Sequence, residues 1–485
     1  MAGGAVTADK IKFGTDGWRG VMAEDFTFAN VRRAAQGLAD FLLQTSGAGS
    51  GVMVGYDNRF MSETYARLVC EVLVANGLKA LFAPESVPTP AVSFAVKDRA
   101  LACGVMITAS HNPPQFNGFK LKAHYAGSAD AEYCAQVEAC VDKNPVRSVK
   151  FDDGVKAETI EIYDPRPAHV RAIKSHVNFR LIRGAKIKVV ADAMYGTGGT
   201  VLEKALAKSR CQIVSIQTKR DVMFGGVNPE PIAKSLGALG SAVRREKADI
   251  GLATDGDADR IGVVDERGKY VSIQAVFAML LLHMLKNRGL RGFVVKSSNS
   301  TVWVDRICQR YGLQWKEVPV GFKWICSEIL QRETEPLEKQ VLIGGEESGG
   351  IGFRGHIPER DGLLAALMLL EMLAMEKKSV TQIARGIAKE FGARVYDRVD
   401  IHYPLEKRLP LLEKLKREPP SKLLSSLLRE VKTFDGVKLI ATDDSWLQFR
   451  VSGTEPILRI YAEGDTAKDV SRLLALGQKL AQTAL

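Results

Sequence analysis

Short apolar runs alternate along the chain with longer stretches whose apolar residues recur every three to four positions. The runs GVMVGYD (51–57), CGVMITAS (103–110), KIKVVADA (186–193), DIGLATD (249–255), GFVVKSS (292–298) and QVLIGGE (340–346) predict strands. Between them, SETYARLVCEVLVANG (62–77) and AVFAMLLLHMLKNRG (275–289) predict helices that stop at glycine. Strands alternating with helices imply βαβ units and largely parallel sheets. The alternation restarts near 185 and again near 290, so three similar α/β units are expected, alike in element order without a residue-level repeat. After about 390 the pattern changes. WLQFRV and ILRIYAE alternate on either side of a tight loop and precede a helix from about 466, which predicts a smaller α+β domain with a half-exposed antiparallel sheet. Polar, Pro-containing residues near 144–167 and the weakly patterned stretch 265–272 mark boundaries, giving expected domains at 1–150, 151–265, 266–388 and 389–485.

Composition narrows the class. A chain of 485 residues is too long for one core and suits three or four domains. No apolar run approaches the ~18 residues of a membrane span, so no membrane partner is expected. The start, MAGGAVTADKIKFGTDG, lacks a basic-then-apolar leader, which points to the cytoplasm. Seven cysteines are scattered without a Cys-x-x-Cys pair, favouring reduced structural thiols over a disulfide frame or zinc site. The net charge of +11 suits anionic partners. Its positive residues are dispersed and no aromatic-basic strand pattern accompanies them, so phosphorylated metabolites fit better than nucleic acid.

Four loops carry candidate chemistry. The first, TASHNPP (108–114), follows the apolar run CGVMI and delivers polar side chains to a sheet edge. Ser110 in it can be a nucleophile, a helix cap or an ordinary loop hydroxyl. The second, DGDADR (255–260), follows IGLAT. In extended backbone, alternate side chains share a side, so Asp255, Asp257 and Asp259 are expected to converge. Three unpaired carboxylates repel one another unless a cation lies between them, and hard oxygen ligands suggest Mg²⁺ or a similar ion. A calcium EF-hand is the nearest alternative, with Glu266 at the twelfth loop position. Arg260, however, stands where that loop requires glycine, and a strand precedes it instead of a helix. A solvated acidic turn is the other alternative.

The third loop, GGEESGG (344–350), again follows a buried run. Its glycines let backbone approach a ligand, and Glu346 and Ser348 offer acceptor and donor groups suited to sugar hydroxyls. The fourth, RVSGTEP (450–456), combines the Arg450 fork, the Ser452 and Thr454 hydroxyls and backbone freed by Gly453 into a phosphate cradle. It has no P-loop lysine pattern, so nucleoside triphosphates are not implied. Together the loops supply a hydroxyl nucleophile, a divalent metal site, a polyol-contacting loop and a distal phosphate cradle. That set suits transfer of a phosphoryl group on a phosphosugar, with Ser110 as its carrier.

With FGTDGWRG (13–20), TASHNPPQFNGFK (108–120), DGDADR, GGEESGG and RVSGTEP in this order and spacing, the chain resembles the α-D-phosphohexomutase family over nearly its whole length. The resemblance implies four domains around a central cleft, the fourth mobile. Ser110 then matches the family's phosphoserine, whose phosphate oxygen would hold Mg²⁺ with Asp255, Asp257 and Asp259. Arg19, His111, Lys120 and Arg260 match positions around it. Lys120 is a candidate for proton transfer, because a desolvated lysine near cations can have its pKa lowered. The stretch VGFKWI (320–325), with Gly321 and Lys323, resembles the phosphoglucomutase-like branch. Gly350 stands where several members carry a histidine, and His356 is a candidate replacement or a structural loop residue.

The implied reaction is interconversion of glucose 1-phosphate and glucose 6-phosphate through phosphoserine and glucose 1,6-bisphosphate. Phosphomannomutase, phosphoglucosamine mutase and glucose 1,6-bisphosphate synthase activities need the same loops. A serine-nucleophile hydrolase would need the Gly-x-Ser-x-Gly elbow that is missing here, and would leave the three aspartates unexplained.

Overall fold

Continuously apolar segments become the central strands. A computed structural model describes residues 11–14, 16–45, 48–451 and 456–482, and these form two compact units. One comprises Met1–Val271, Gly321–Thr334 and Ser348–Ser379; the other comprises Ser272–Val320, Glu335–Glu347 and Val380–Leu485.

The first unit holds two mixed sheets. Strands β1 (Trp18–Val21), β2 (Val52–Tyr56), β3 (Ala80–Phe82), β4 (Cys103–Ile107), β5 (Phe116–Lys122) and β6 (Ile160–Ile162) lie in the order β1-β5-β4-β2-β3-β6. β4, β2, β3 and β6 run parallel, whereas β5 and β1 are antiparallel additions. The sheet runs past residue 150, since β6 pairs with β3. Both faces of β2 and β4 are buried, which explains their unbroken apolar sequence.

Strands β7 (Lys188–Asp192), β8 (Gln212–Ile216), β9 (Ile250–Thr254), β10 (Ile261–Val264) and β11 (Tyr270–Val271) form the second sheet, ordered β11-β10-β9-β7-β8. It repeats the plan: β9, β7 and β8 are parallel, and β10 returns antiparallel to β9. In each sheet a parallel strand thus hands over to an antiparallel neighbour through a short loop, 108–115 after β4 and 255–260 after β9. Those loops carry the serine and the three aspartates. Helix Gly362–Glu376 is apolar all round and packs against the helix Arg166–Ser175 and against β9 and β10, which accounts for its lack of a polar face.

In the second unit, β12 (Phe293–Ser297) is flanked in parallel by β13 (Trp315–Val318) and β14 (Val341–Gly345). The loop 346–350 follows β14 and leads in the sequence to β15 (Ile351–Phe353). The C-terminal sheet is wholly antiparallel: β16 (Val395–His402), β17 (Lys422–Leu423), β18 (Ser426–Lys432), β19 (Val437–Ala441), β20 (Trp446–Val451) and β21 (Ile457–Gly464), ordered β16-β21-β20-β19-β18-β17. Helix Ala467–Gln482 covers β21, β16 and β20. β20 and β21 flank the fourth loop, as their alternating sequences predict. The fold is therefore three α/β domains with mixed, largely parallel sheets followed by an antiparallel α+β domain. Among the described residues, no helix is long and apolar enough to cross a membrane.

Candidate active site

Alternation along β5 sorts its side chains. Phe119 and Leu121 face the core, while Lys120 and Lys122 are buried on the opposite face among carboxylates. Arg19 on β1 pairs with Gly118, and so shares the lysine face. β4 ends just before Ser110, which is fully buried with φ 53°. This left-handed conformation disfavours a side chain carrying Cβ, and costs on the order of 1–3 kcal/mol. Its amide donates to Thr108 Oγ1 at 2.9 Å and its hydroxyl to Asp255 Oδ2 at 2.8 Å. His111 Nδ1 lies 3.4 Å from the same hydroxyl oxygen. Gly256 sits against the Ser110 carbonyl, where a Cβ would come within 2.5 Å of the oxygen. Glycine is needed there for the two loops to meet.

The three aspartates converge through a turn and not through extended backbone as expected. Ala258 has φ 59° and its amide donates to the Asp255 carbonyl at 3.1 Å. One carboxylate oxygen from each of Asp255, Asp257 and Asp259 lies within 4.8 Å of the others, and all three side chains are buried. Asp257 Oδ1 and Asp259 Oδ1 are buried without a hydrogen-bond partner. Burial and the neighbouring Asp259 and Asp257 carboxylates raise the Asp255 pKa well above the ordinary range. A buried acidic group with orphaned oxygens fits a hard divalent cation.

Fixed cations surround this group. Lys120 Nζ lies 2.8 Å from Asp257, 3.1 Å from Asp259 and 2.9 Å from Asp16. Arg360 joins Asp16 and, at 2.9 Å, Asp259. Arg260 lies 4.0 and 3.9 Å from Asp255 and Asp259. Arg19 donates to Asn112 Oδ1 at 2.9 Å. The expectation of a lowered lysine pKa is corrected here. Burial opposes the charge on Lys120, but Asp16, Asp257 and Asp259 outweigh it and raise its pKa. Burial also opposes charge on Asp257, yet Lys120 and the Thr89 hydroxyl hold its carboxyl well below the usual range. His111 is driven down by burial and then by Arg260 and Arg19, which leaves a neutral imidazole beside Ser110.

Ser110, His111, Lys120, Arg19, Arg260 and the aspartates thus come together within the first unit. Its segment Ser348–Ser379 contributes as well: the Ile261 amide donates to the Gly349 carbonyl at 3.0 Å, and Arg260 bridges to Gly350. Ser348 is half-buried on this segment. Gly321 has φ 127° and opens the helix Phe322–Gln331, on which Lys323 Nζ lies 5.5 Å from the Trp324 ring centroid. In the second unit, Glu346 is buried and Arg450 is held by Asp435 at 2.9 Å. Ser452, Gly453 and Thr454 lie outside the described residues.

His356 is engaged elsewhere. Its Nε2 and that of His169 lie 2.9 and 2.6 Å from Asp361 Oδ2, and its ring stacks on Phe94. Asp361 Oδ1 meanwhile caps the helix Gly362–Glu376 through the amides of Leu363 and Leu364. Both Nδ1 atoms are buried without a hydrogen-bond partner. Two Nε2–H groups sharing one carboxylate explain this arrangement, whereas a metal-bound imidazole usually donates its second N–H.

Three partners escaped sequence reasoning. Asp16 lies inside FGTDGWRG and Arg360 inside ERDG, but nothing local says that they meet Lys120 and Asp259 respectively. Arg59, in YDNR, becomes visible only when its contacts are traced.

Comparison with known proteins agrees with this architecture. The chain matches four consecutive phosphoglucomutase/phosphomannomutase descriptions: alpha/beta/alpha domain I at 10–147, domain II at 167–268, domain III at 274–391 and the C-terminal domain at 412–476. A phosphoglucomutase/phosphomannomutase of Thermococcus kodakarensis is 29% identical over 98% of this chain and 99% of its own. A probable phosphoglucosamine mutase of Pyrococcus horikoshii is 28% identical, covering 98% of each chain. The crystal structure of a putative phosphomannomutase from Thermus thermophilus superposes with a TM-score of 0.85 at 34% identity, covering 98% of this chain and 100% of that one.

Proposed function

The chain belongs to the phosphoglucomutase/phosphomannomutase family, and on that footing we propose that it interconverts glucose 1-phosphate and glucose 6-phosphate through phosphorylated Ser110 and glucose 1,6-bisphosphate. Its class is that of the phosphohexomutases, intramolecular phosphotransferases of the isomerase type. The observation that carries the reading is the Ser110 hydroxyl, 2.8 Å from Asp255 and 3.4 Å from His111 Nδ1.

In the first half-reaction the free hydroxyl of the hexose phosphate attacks the phosphorus of phospho-Ser110. The P–Oγ bond breaks with its electron pair left on Oγ, and the proton lost by the sugar hydroxyl balances the one that Oγ regains. His111 is suited to pass that proton, because its Nδ1 stands 3.4 Å from Oγ and its imidazole is neutral. Lys120, Arg19 and Arg260 keep fixed positive charge around the group in transit, with no solvent reorganisation at the moment of reaction. Asp16, Asp257 and Asp259 raise the Lys120 pKa, which suits it to act as a charge or an acid. Asp255, Asp257 and Asp259, with an oxygen on Ser110, would hold Mg²⁺, which when bound neutralises charge on the phosphoryl group. Glu346 and Ser348 suit sugar hydroxyls, with Gly321 and Lys323 as further substrate contacts. Arg450, Ser452, Gly453 and Thr454 suit the phosphate that is not reacting. The bisphosphate then turns round and returns its other phosphoryl group to Ser110.

Turnover measured against the 1-phosphates of glucose, mannose and glucosamine, with Mg²⁺ and catalytic glucose 1,6-bisphosphate, tests the reading. Glucose 1-phosphate should give the highest kcat/KM. A higher value for either other sugar would reassign the substrate.

A further inference from the structure

We infer that Arg59 is a positioning residue that moulds the Ser110 loop for phosphoryl transfer, an inference resting on Ser110 as the phosphoryl carrier. Arg59 is fully buried. A guanidinium has five N–H donors in a rigid plane, and here each has its own acceptor. Nε donates to Asp57 Oδ2 at 3.1 Å, Nη1 to the carbonyls of Pro113 and Phe116 at 2.8 and 3.1 Å, and Nη2 to those of Ser110 and Asn112, both at 2.7 Å. Four of the five acceptors are backbone carbonyls, three in the Ser110 loop and one at Phe116, where β5 begins.

The match explains how Ser110 keeps its left-handed φ of 53°. Turning the carbonyls of Ser110, Asn112 and Pro113 inward is unfavourable in a buried loop unless a donor meets each one. One planar group meets them all, and thereby fixes where the loop carries Oγ. Lysine cannot replace it, because its three donors radiate from one nitrogen and cannot span four carbonyls. The base of the arginine is fixed in turn. Asp57 accepts from Thr108 Oγ1 at 2.6 Å and Ser62 Oγ at 2.8 Å, and the Phe224 ring lies 4.9 Å from the guanidinium carbon.

The same turn reaches the aspartate loop. Asn58 Nδ2 donates to the carbonyls of Tyr195 and Gly196 at 2.7 and 3.1 Å, and the Thr197 amide donates to the Gly256 carbonyl at 3.1 Å. Arg220 closes the connection by donating to the carbonyls of Asn58 and Arg59 at 3.2 and 3.1 Å. Residues 57–59 therefore hold the Ser110 loop directly and reach the aspartate loop through residues 195–197. Arg59 touches neither hydroxyl nor carboxylate of that pair, and acts through the backbone.

The test compares Arg59→Lys and Asp57→Asn with wild type and Ser110→Ala, using glucose 1-phosphate, glucose 1,6-bisphosphate and Mg²⁺. Steady-state kinetics, circular dichroism, thermal melting and mass spectrometry of the Ser110 peptide are the readouts. Misplacing a reacting atom by about 1 Å costs on the order of 100-fold. The expected result is a folded Arg59→Lys protein whose kcat falls about 100-fold with KM within about twofold of wild type. Ser110 should take up its phosphate correspondingly slowly, and Asp57→Asn should show a milder form of the same split. A folded variant with wild-type kcat overturns the inference, as does a parallel change in kcat, KM and melting temperature, which marks a general structural role. Failure of both variants to fold also overturns it. If Ser110→Ala itself keeps turnover, the proposed function fails instead, which separates the two outcomes.

Discussion

Ser110 Oγ donates to Asp255 Oδ2 across 2.8 Å, joining residues 145 positions apart on loops that leave equivalent edges of two sheets. The contact brings a hydroxyl to an acidic group that suits a cation. Ser110→Ala should lower turnover by at least about 10³-fold, the scale seen when a covalent nucleophile is removed. Its circular dichroism should be unchanged. Intact-mass measurement should find one phosphate on the wild type, removable by glucose 6-phosphate, and none on the variant.

Mg²⁺ should raise the melting temperature of the wild type, because a ligand that binds only the folded state stabilises it by about 2.7 kcal/mol at 100 times its Kd. Asp257→Asn removes one ligand, and should shift the Mg²⁺ dependence of both activity and melting to higher concentration. A calcium-style preference, with Ca²⁺ supporting more turnover than Mg²⁺, would contradict the assignment.

Lys120→Met takes away the cation facing Asp16, Asp257 and Asp259. Uncompensated buried charge typically costs about 3–5 kcal/mol. The variant should therefore melt well below wild type in EDTA. Mg²⁺ should recover part of the difference by restoring positive charge, and differential scanning fluorimetry across a Mg²⁺ series checks this.

Acid sensitivity should track the His356–Asp361 pair. Burial lowers the His356 pKa below 6.5 despite Asp361, so near that pH the unfolded chain binds the proton that the folded chain refuses. The resulting stability is complete above about pH 6.5 and is lost on acidification, by at most about 1.4 kcal/mol per pH unit for one group. Asp361 is itself held below 3.8, chiefly by His169 once the opposing effect of burial is overcome, and adds a further loss under more acidic conditions. Urea unfolding at pH 7.5, 6.5 and 5.5 should show a shallower decline for His356→Asn than for wild type.

Arg450→Ala should raise KM for glucose 1-phosphate by about 10-fold or more, since a charge-assisted hydrogen bond is worth about 1.5–3 kcal/mol. Circular dichroism should stay unchanged, while loss of the mostly buried ion pair with Asp435 should lower the melting temperature. Equal KM values would remove Arg450 from the phosphate contacts.

Six strand predictions were met because buried parallel strands need unbroken apolar runs, and GVMVGYD or DIGLATD offer no other reading. The antiparallel returns β5 and β10 were harder to see. β5 reads FNGFKLK, whose lysines look solvent-facing until Asp16, Asp257 and Glu359 are brought against them. The loops were legible through their residue types, but their geometry was not. Asp255, Asp257 and Asp259 meet through the αL turn at Ala258, which composition does not signal. The direction of the Lys120 pKa was misjudged for a related reason. The nearby cations Arg19 and Arg260 and the deciding carboxylates Asp16, Asp257 and Asp259 come from the same two motifs, FGTDGWRG and DGDADR, and only the fold shows that the carboxylates lie against the lysine.

Asp16, Asp255, Asp257 and Asp259 are matched by Lys120, Arg19, Arg260 and Arg360. Counted with every carboxylate ionised, as a bound cation would require of Asp255, the four charges of each sign balance. A dication alone, or a serine phosphate dianion alone, would each leave two uncompensated charges in a buried place. Arriving together they restore the balance. Metal occupancy and serine phosphorylation should therefore rise and fall as a couple, with the dephosphorylated protein releasing its cation more readily. A site self-balanced in this way ties metal retention to phosphorylation without any second binding site.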